Sequence, residues 1–349
     1  MSRGNPLKTI GAYGSRIDAP AAAFLARNDY ALYGMMRYFM GYTDEHFKTK
    51  THSVGKRIRP GLLLLIADGY GILEEALPAA LSVELFHNFT LIHDDIVDHD
   101  ELRRGRSTVW KLWGVDHAIN TGDAQLILAL RALEGPTPLP QGRITSLRKR
   151  LFDRYLEVIE GQYLDFTLAA ARLNDSLVTK ETYLTMTKGK TSRLIRAATE
   201  AAPILAKKSE AETTALGDFG ENLGMAYQLY DDWQGIWGEP EKTGKKRAGD
   251  IYERKKTLPM IYAREHLAMT DRQHLEMLYD RSTLDEGAVT EVLELFAKVG
   301  AQKELERYAM RYKDASIQAL ARTELPVPTK ELLEQTVRAL VPDFITESR

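Results

Sequence analysis

The chain has 349 residues, a formal net charge of -2 and 44% hydrophobic residues. So even a balance argues against a general nucleic-acid or anionic-membrane binder, which carries a basic excess. The absence of cysteine excludes disulfides and thiolate metal sites.

Residues 1–20, rich in Gly, Ser and Pro, predict a mobile lead-in. They contain no apolar run suited to a signal peptide. The longest greasy patch, Leu62 to Ala67, falls far short of the roughly 18–20 residues of a membrane span. A soluble, cytoplasmic protein is therefore expected. From about Ala21 to Pro342, apolar residues recur at three- and four-residue spacing, with no sustained strand-like alternation. GKRIRP (55–60) sets Lys56, Arg57 and Arg59 just ahead of a helix whose first turn accepts Pro60. Capping boxes mark helix starts at Ser209 with Glu212, Thr270 with Gln273 and Thr283 with Glu286. Breaks fall at 135–142, 237–249 and 324–329. Together these features predict one all-α domain over 21–349, of ten or more helices with a short helical tail.

The segment LFHNFTLIHDDIVDHDELRRGRSTVW (85–110) reads as a helix through about Asp98. His87, Thr90, Asp94 and Asp98 then share a face, with Asp94 and Asp98 about 6 Å apart along the axis and Asp95 beside them. Neighbouring carboxylates raise one another's pKa unless a cation sits between them. Hard oxygen ligands without His or Cys suit Mg²⁺, which takes one or two carboxylates plus substrate phosphates. A solvated acidic helix end is the bland alternative, but the polar face continues into Leu85, Phe86, Phe89, Leu91 and Ile92, where solvation is not needed.

A second cluster lies in GENLGMAYQLYDDWQGIWG (220–238), where Gln228, Asp231, Asp232 and Gly235 share a helix face. If the two helices face each other, their carboxylates form two walls of a metal-diphosphate site. Such a site also needs fixed positive charge. Candidates are Lys56, Arg57 and Arg59, then Arg103 and Arg104, then Lys190 with Thr191 in TKGKTSRL, then Lys245 in TGK. Each alone reads as a solvated surface cation; their occurrence beside paired aspartates gives them weight. GxxxxGK[ST], HExxH and GxSxG are absent.

In their order and spacing, GKRIRP, LIHDDIVD followed by LRRGRST, KT, the Q-x-x-DD of YQLYDDWQG, TGK and D-I-x-x-x-K-K-T-L-P resemble the trans-prenyl diphosphate synthases from about residue 30 to 340. The resemblance implies an antiparallel helical bundle around a central cavity, the isoprenoid synthase type I fold, and a homodimer. It implies that Asp94, Asp95, Asp98, Asp231 and Asp232 bind three Mg²⁺ through an allylic diphosphate, which Arg103, Lys190 and Lys245 also hold. Lys56, Arg59, His87 and Arg104 would hold isopentenyl diphosphate, and Thr191 and Gln228 would border the developing allylic cation. Asp250 and Lys255 match a segment that closes over the site. The implied reaction is ionisation of the allylic C–O bond, attack by the isopentenyl double bond, and loss of a proton to the released diphosphate. One departure stands out: Gly235 occupies a place where many relatives have a third Asp. Fewer metal contacts are expected there, or, if the site is degenerate, a non-catalytic partner subunit.

Phe89 lies five residues before Asp94, about 7.5 Å toward the helix start. In relatives, side chains at this depth stop the growing chain, and Phe89 beside small Thr90 resembles synthases that make geranylgeranyl diphosphate. Farnesyl or longer products are the alternatives, and Phe89 equally reads as interhelical packing. A class I terpene cyclase shares the metal logic but needs no second diphosphate site, against which Lys56, Arg59, His87 and Arg104 argue.

Overall fold

The structure, a computed structural model, describes residues 5–50, 55–134, 139–239 and 247–344. Its contacts group into two compact units. The first holds the chain through Tyr155, Ala197–Gly217 and Arg322–Thr336; the second holds Leu156–Arg196, Asp218–Ala321 and the chain from Val337.

The first unit begins with α1 (Pro6–Gly14), α2 (Asp18–Leu25) and α3 (Ala31–Phe39). Residues 1–20 were expected as a mobile lead-in; from Asn5 onward they are helical and packed. Asn5 caps α1 by accepting from Leu7 N at 2.9 Å, and Pro6 occupies the first turn. Ile10 and Ile17 are fully buried. Two apolar side chains seven residues apart and a good cap outweigh the loop-like composition.

α1 lies on α4 (Ile58–Gly69), which in turn packs on α5 (Leu77–Val97). Leu62 to Ala67 are buried, so the greasy patch is core. α5 also packs along α7 (Val115–Arg131) and is buried from Ala79 to Phe86. A helix apolar on all sides must be enclosed by its neighbours. Between them stand a hairpin (β1, Leu102–Arg103; β2, Arg106–Ser107) and the short α6 (Val109–Trp113). Leu102 pairs with Ser107 and Arg103 with Arg106. The linking residues Arg104 and Gly105 have φ of 54° and 74°, the pattern of a type I′ turn. Two-residue strands are too short to register as alternation, so periodicity does not reveal them.

α8 (Gln141–Ala170), α10 (Arg193–Leu205) and α11 (Glu210–Trp237) contribute residues to both units, as does α17 (Val327–Leu340). The second unit adds α9 (Lys180–Thr187), α12 (Gly249–Tyr252), α13 (Leu258–His266), α14 (Met269–Tyr279), α15 (Glu286–Val299) and α16 (Ala301–Ala321). Its core includes Leu229, Ile236, Met260, Ile261, Leu278 and Val292. The Ser209 cap is present, accepting from Glu212 N at 3.1 Å. The other two boxes are not: α14 starts at Met269, before Thr270, and α15 is capped by Asp285, which accepts from Ala288 N at 2.8 Å. A carboxylate next to the first turn is the better acceptor, and it displaces Thr283.

Near the end of the chain, the Lys313 side chain is 1% exposed and its ammonium meets Asp343 Oδ1 at 2.6 Å. The hydrogen bond from Lys313 and its positive charge hold the Asp343 carboxyl below its ordinary range. A lowered folded pKa gives stability that is present above the unfolded value of about 3.9 and lost as pH falls through the folded value. Asp343→Asn therefore lowers Tm near pH 7, and thermal melts should show the gap to the parent closing as pH falls below about 4.

Candidate active site

In the first unit, α5 carries the acidic run to its C-terminus. The helix ends at Val97 with Asp98 as its cap, close to the expected boundary. Asp94 is half-buried, Asp98 is exposed and Asp95 is buried. Arg103, delivered by the hairpin, donates through Nε to Asp95 Oδ1, and its Nη2 lies 3.6 Å from Asp100. Burial pushes the Asp95 carboxyl up to about 6 against the pull of Arg103. Asp95 Oδ2 is buried with no hydrogen-bond partner.

One to two turns earlier on the same helix, a cationic group surrounds His87. Arg59 Nη1 lies 3.0 Å from His87 Nε2. A guanidinium can only donate, so Nε2 is the acceptor and the imidazole proton sits on Nδ1. Burial holds His87 well below its ordinary pKa, helped by Arg59, Arg104, Arg103 and Arg57, so the ring is neutral. Arg104 reaches this group from the I′ turn, its guanidinium lying against Gly55 and 6.0 Å from the Phe39 ring centre. Its Nη1 is buried without a hydrogen-bond partner. Lys56 is exposed at the start of the same stretch. The third arginine of the hairpin is structural: Arg106 donates to the carbonyls of Tyr38 at 2.9 Å and Thr43 at 2.8 Å and stacks on Tyr38. Burying arginines beside a neutral histidine is costly unless an anion completes the group.

Phe89 is buried, 5.3 Å from Phe86 and 4.9 Å from His93 between ring centres, while Phe86 stacks on Tyr155 at 3.9 Å. Thr90 returns its hydroxyl to the carbonyl of His87 at 2.8 Å.

In the second unit, the acidic run of α11 belongs to one hydrogen-bond chain. Thr191 Oγ1 donates to Gln228 Oε1 at 2.9 Å, and Gln228 Nε2 donates to Asp232 Oδ1 at 2.9 Å. Tyr183 closes the chain by donating its hydroxyl to Asp232 Oδ2. Asp232 is thus buried with both oxygens engaged, and burial pushes it up to about 7 despite these donors. Asp231, its neighbour, is half-buried. Thr191 and Lys190 lie in a π-helical turn, Lys188–Ser192, between α9 and α10. Such bulges turn side chains out of the regular helical pattern. Here the turn brings Gly189 backbone to backbone with Gly161 of α8, leaving no room for a Cβ on either. Lys190 Nζ then meets Asp165 Oδ2 at 2.6 Å.

The departure at Gly235 has a steric cause. A Cβ there would collide with the carboxylate of Asp250, which also accepts from Lys255 Nζ at 2.9 Å. Asp250 thus stands over the position where relatives have a third aspartate. Lys245 lies outside the described residues.

Tyr183 and Asp165 went unrecognised as site components in the sequence. Asp165 had a signal, a lone carboxylate between Leu164 and Phe166 on a helix; Tyr183 had none. Among the described residues, no three His, Cys, Asp or Glu side chains form a ready-made cation site. The donors nevertheless fit Mg²⁺, whose shell draws on one or two carboxylates plus substrate phosphates and water. Asp95 Oδ2, buried and without a partner, is the atom whose environment most needs a cation.

Comparison with known proteins identifies the family. The polyprenyl synthetase family profile matches residues 42–296. A (2E,6E)-farnesyl diphosphate synthase of Mycobacterium bovis is 35% identical over 296 residues, 84% of this chain and 80% of that protein. The structure of geranylgeranyl pyrophosphate synthetase from Pyrococcus horikoshii superposes with a TM-score of 0.85 at 28% identity, covering 97% of this chain and 98% of that one. A polyprenyl synthase from Caulobacter crescentus, complexed with calcium and isoprenyl diphosphate, gives 0.77 at 26% identity over 96% and 97%. The chain belongs to the polyprenyl synthetase family and has its all-α fold. Within that family it is a prenyltransferase of the short-chain trans-prenyl diphosphate synthase kind.

Gly235→Ala should displace Asp250 without touching any aspartate of the acidic run. The expected result is a loss of about 1–3 kcal/mol, typical of overpacking a well-filled site, measured by denaturant unfolding.

Proposed function

We propose that this enzyme is a cytoplasmic, homodimeric geranylgeranyl diphosphate synthase, which elongates an allylic diphosphate with isopentenyl diphosphate in the presence of Mg²⁺. One observation carries the two-substrate reading. Arg59, neutral His87 and Arg104 form a half-buried cationic group with a buried, unsatisfied guanidinium nitrogen on Arg104, apart from the carboxylates of the same helix. A cyclase needs only the carboxylates; a condensing enzyme needs a second diphosphate pocket, which this group and Lys56 supply.

In the first unit the accessible carboxylates of Asp94 and Asp98, and in the second unit that of Asp231, would hold Mg²⁺ for an allylic diphosphate. Asp95 and Asp232, buried and bonded within the protein, share the ligand set and orient their neighbours. When bound, the ions offset the negative charge that builds on the departing diphosphate. Arg103 in the first unit and Lys190 in the second would add fixed positive charge for a departing diphosphate, a role the resemblance also implies for Lys245. Thr191 and Gln228 present oxygen dipoles toward the developing allylic cation, held in place by the bond between them. The condensed product loses its proton to the released diphosphate, so no side-chain base is required. A neutral His87, donating from Nδ1, serves to bind phosphate oxygen rather than to shuttle protons.

Phe89 sets the chain length, with Phe86 and Tyr155 stacked one turn deeper as a second layer. Exposed apolar side chains on α8, Leu156 at 57% and Tyr163 at 69%, support burial against a second copy. Asp250 takes the steric place of the third aspartate and, with Lys255, closes that side of the carboxylates.

Incubation with labelled isopentenyl diphosphate, Mg²⁺ and dimethylallyl, geranyl or farnesyl diphosphate should give incorporation into a geranylgeranyl product. Hydrocarbon release without incorporation would indicate a cyclase instead, and no turnover with any starter a non-catalytic subunit. Asp94→Ala should lower kcat by about 100-fold or more, since it removes charge stabilisation at the leaving group. Phe89→Ala should lengthen the products seen by mass spectrometry; an unchanged distribution removes Phe89 as the stop.

A further inference from the structure

Arg57 stands in sequence between Lys56 and Arg59, yet its side chain is 1% exposed while Lys56 is exposed and Arg59 half-buried. Its backbone adopts φ 48° and ψ 36°, a left-handed conformation unfavourable for any residue with a Cβ. Such a conformation persists only where the surroundings over-determine it. They do so here. Arg57 Nη1 meets Glu84 Oε1 at 2.5 Å, and Nη2 lies 3.1 Å from Asp18 Oδ1 and 3.3 Å from the Tyr42 hydroxyl. Glu84 is itself buried and accepts from Asn88 Nδ2 at 2.9 Å; Tyr42 donates to Asp18 at 3.0 Å. On the backbone side, Gly14 at the end of α1 packs against Arg57 too closely for a Cβ.

The placement has a geometric consequence. Glu84 lies on α5 one turn before His87, so the ion pair joins the start of α4 to the helix that carries His87. With Arg57 turned inward, its sequence neighbours Lys56 and Arg59 are turned elsewhere, and Arg59 reaches His87 at 3.0 Å. A buried ion pair adds little net stability but can fix one arrangement; here both terminal nitrogens of Arg57 are engaged, while its Nε is buried without a partner.

We propose that Arg57 is a positioning residue for isopentenyl diphosphate: its ion pair with Glu84, completed by Asp18, locks the Lys56–Arg59 turn onto α5 in register with His87. This rests on the assignment of Lys56, Arg59, His87 and Arg104 to that substrate. Arg57 touches no substrate; it acts by keeping two cations where binding would otherwise have to order them.

The test is steady-state kinetics of the full chain, with KM measured separately for isopentenyl diphosphate and the allylic partner, and Tm recorded for each variant. Arg57→Gly permits the left-handed backbone but removes the guanidinium, Glu84→Gln removes the charge at nearly constant shape, and Arg57→Lys keeps charge without the fork. Arg57→Gly and Glu84→Gln should raise KM for isopentenyl diphosphate about tenfold while the allylic KM moves less than about twofold, a split that general loosening does not produce. Arg57→Lys should recover part of the loss. Equal shifts in both KM values, or none, overturn the proposal. If the two charge-removing variants fail to fold, Asp18→Asn must still raise KM for isopentenyl diphosphate selectively, and an unchanged value overturns it. A parent chain that does not incorporate isopentenyl diphosphate overturns the functional reading itself, whereas normal parent turnover with unmoved variant KM values overturns only the role of Arg57.

Discussion

An ionised side chain inside a packed helix must find an opposite charge, and α5 depends on this requirement throughout its length. Its surroundings are apolar from Ala79 to Phe86, yet it carries Glu84, His87 and Asp95 at buried or partly buried positions. Desolvating a lone carboxylate costs several kcal/mol. Each is therefore answered from elsewhere in the chain: Arg57 from the start of α4 for Glu84, Arg103 from the hairpin for Asp95. Pairing these charges ties the start of α4 and the hairpin to α5. Without it, neither GKRIRP nor LRRGRS has a reason to sit where it does.

The same logic acts in the second unit through hydrogen bonds rather than ion pairs. Asp232 is fully engaged by Tyr183 and Gln228, and Gln228 is engaged by Thr191. A satisfied buried chain of this kind fixes the rotamer of every member. Asp231 thereby inherits a fixed helix face, and Thr191 and Gln228 hold each other in one orientation. The adjacent π-helical turn serves the same end. By pressing Gly189 onto Gly161, it sets Lys190 against Asp165.

Gly235 illustrates why a motif letter is weaker than the space around it. As a letter, it is a missing ligand. In the folded chain, the Asp250 carboxylate fills the room that a side chain at 235 would need. A third aspartate and an Asp250 in this rotamer are mutually exclusive on steric grounds alone. The loss of one carboxylate on α11 thus accompanies the approach of another from α12.

The sequence by itself determined the helical class and the acidic helix through about Asp98, and it named the candidate site residues. Helical periodicity and charge within apolar runs are local properties, so a linear reading recovers them. It did not disclose the packed N-terminal helix, because composition suggested a loop while two isoleucines and a cap decided otherwise. Nor did it disclose the hairpin, whose strands are too short to alternate. Only the tertiary structure decided which charges are buried and with whom. Arg57 and Arg59 look alike in GKRIRP, and so do Arg103, Arg104 and Arg106 in the hairpin. Their roles diverge because burial and partner distance depend on residues 8 to 68 positions away, which spacing along the chain does not encode.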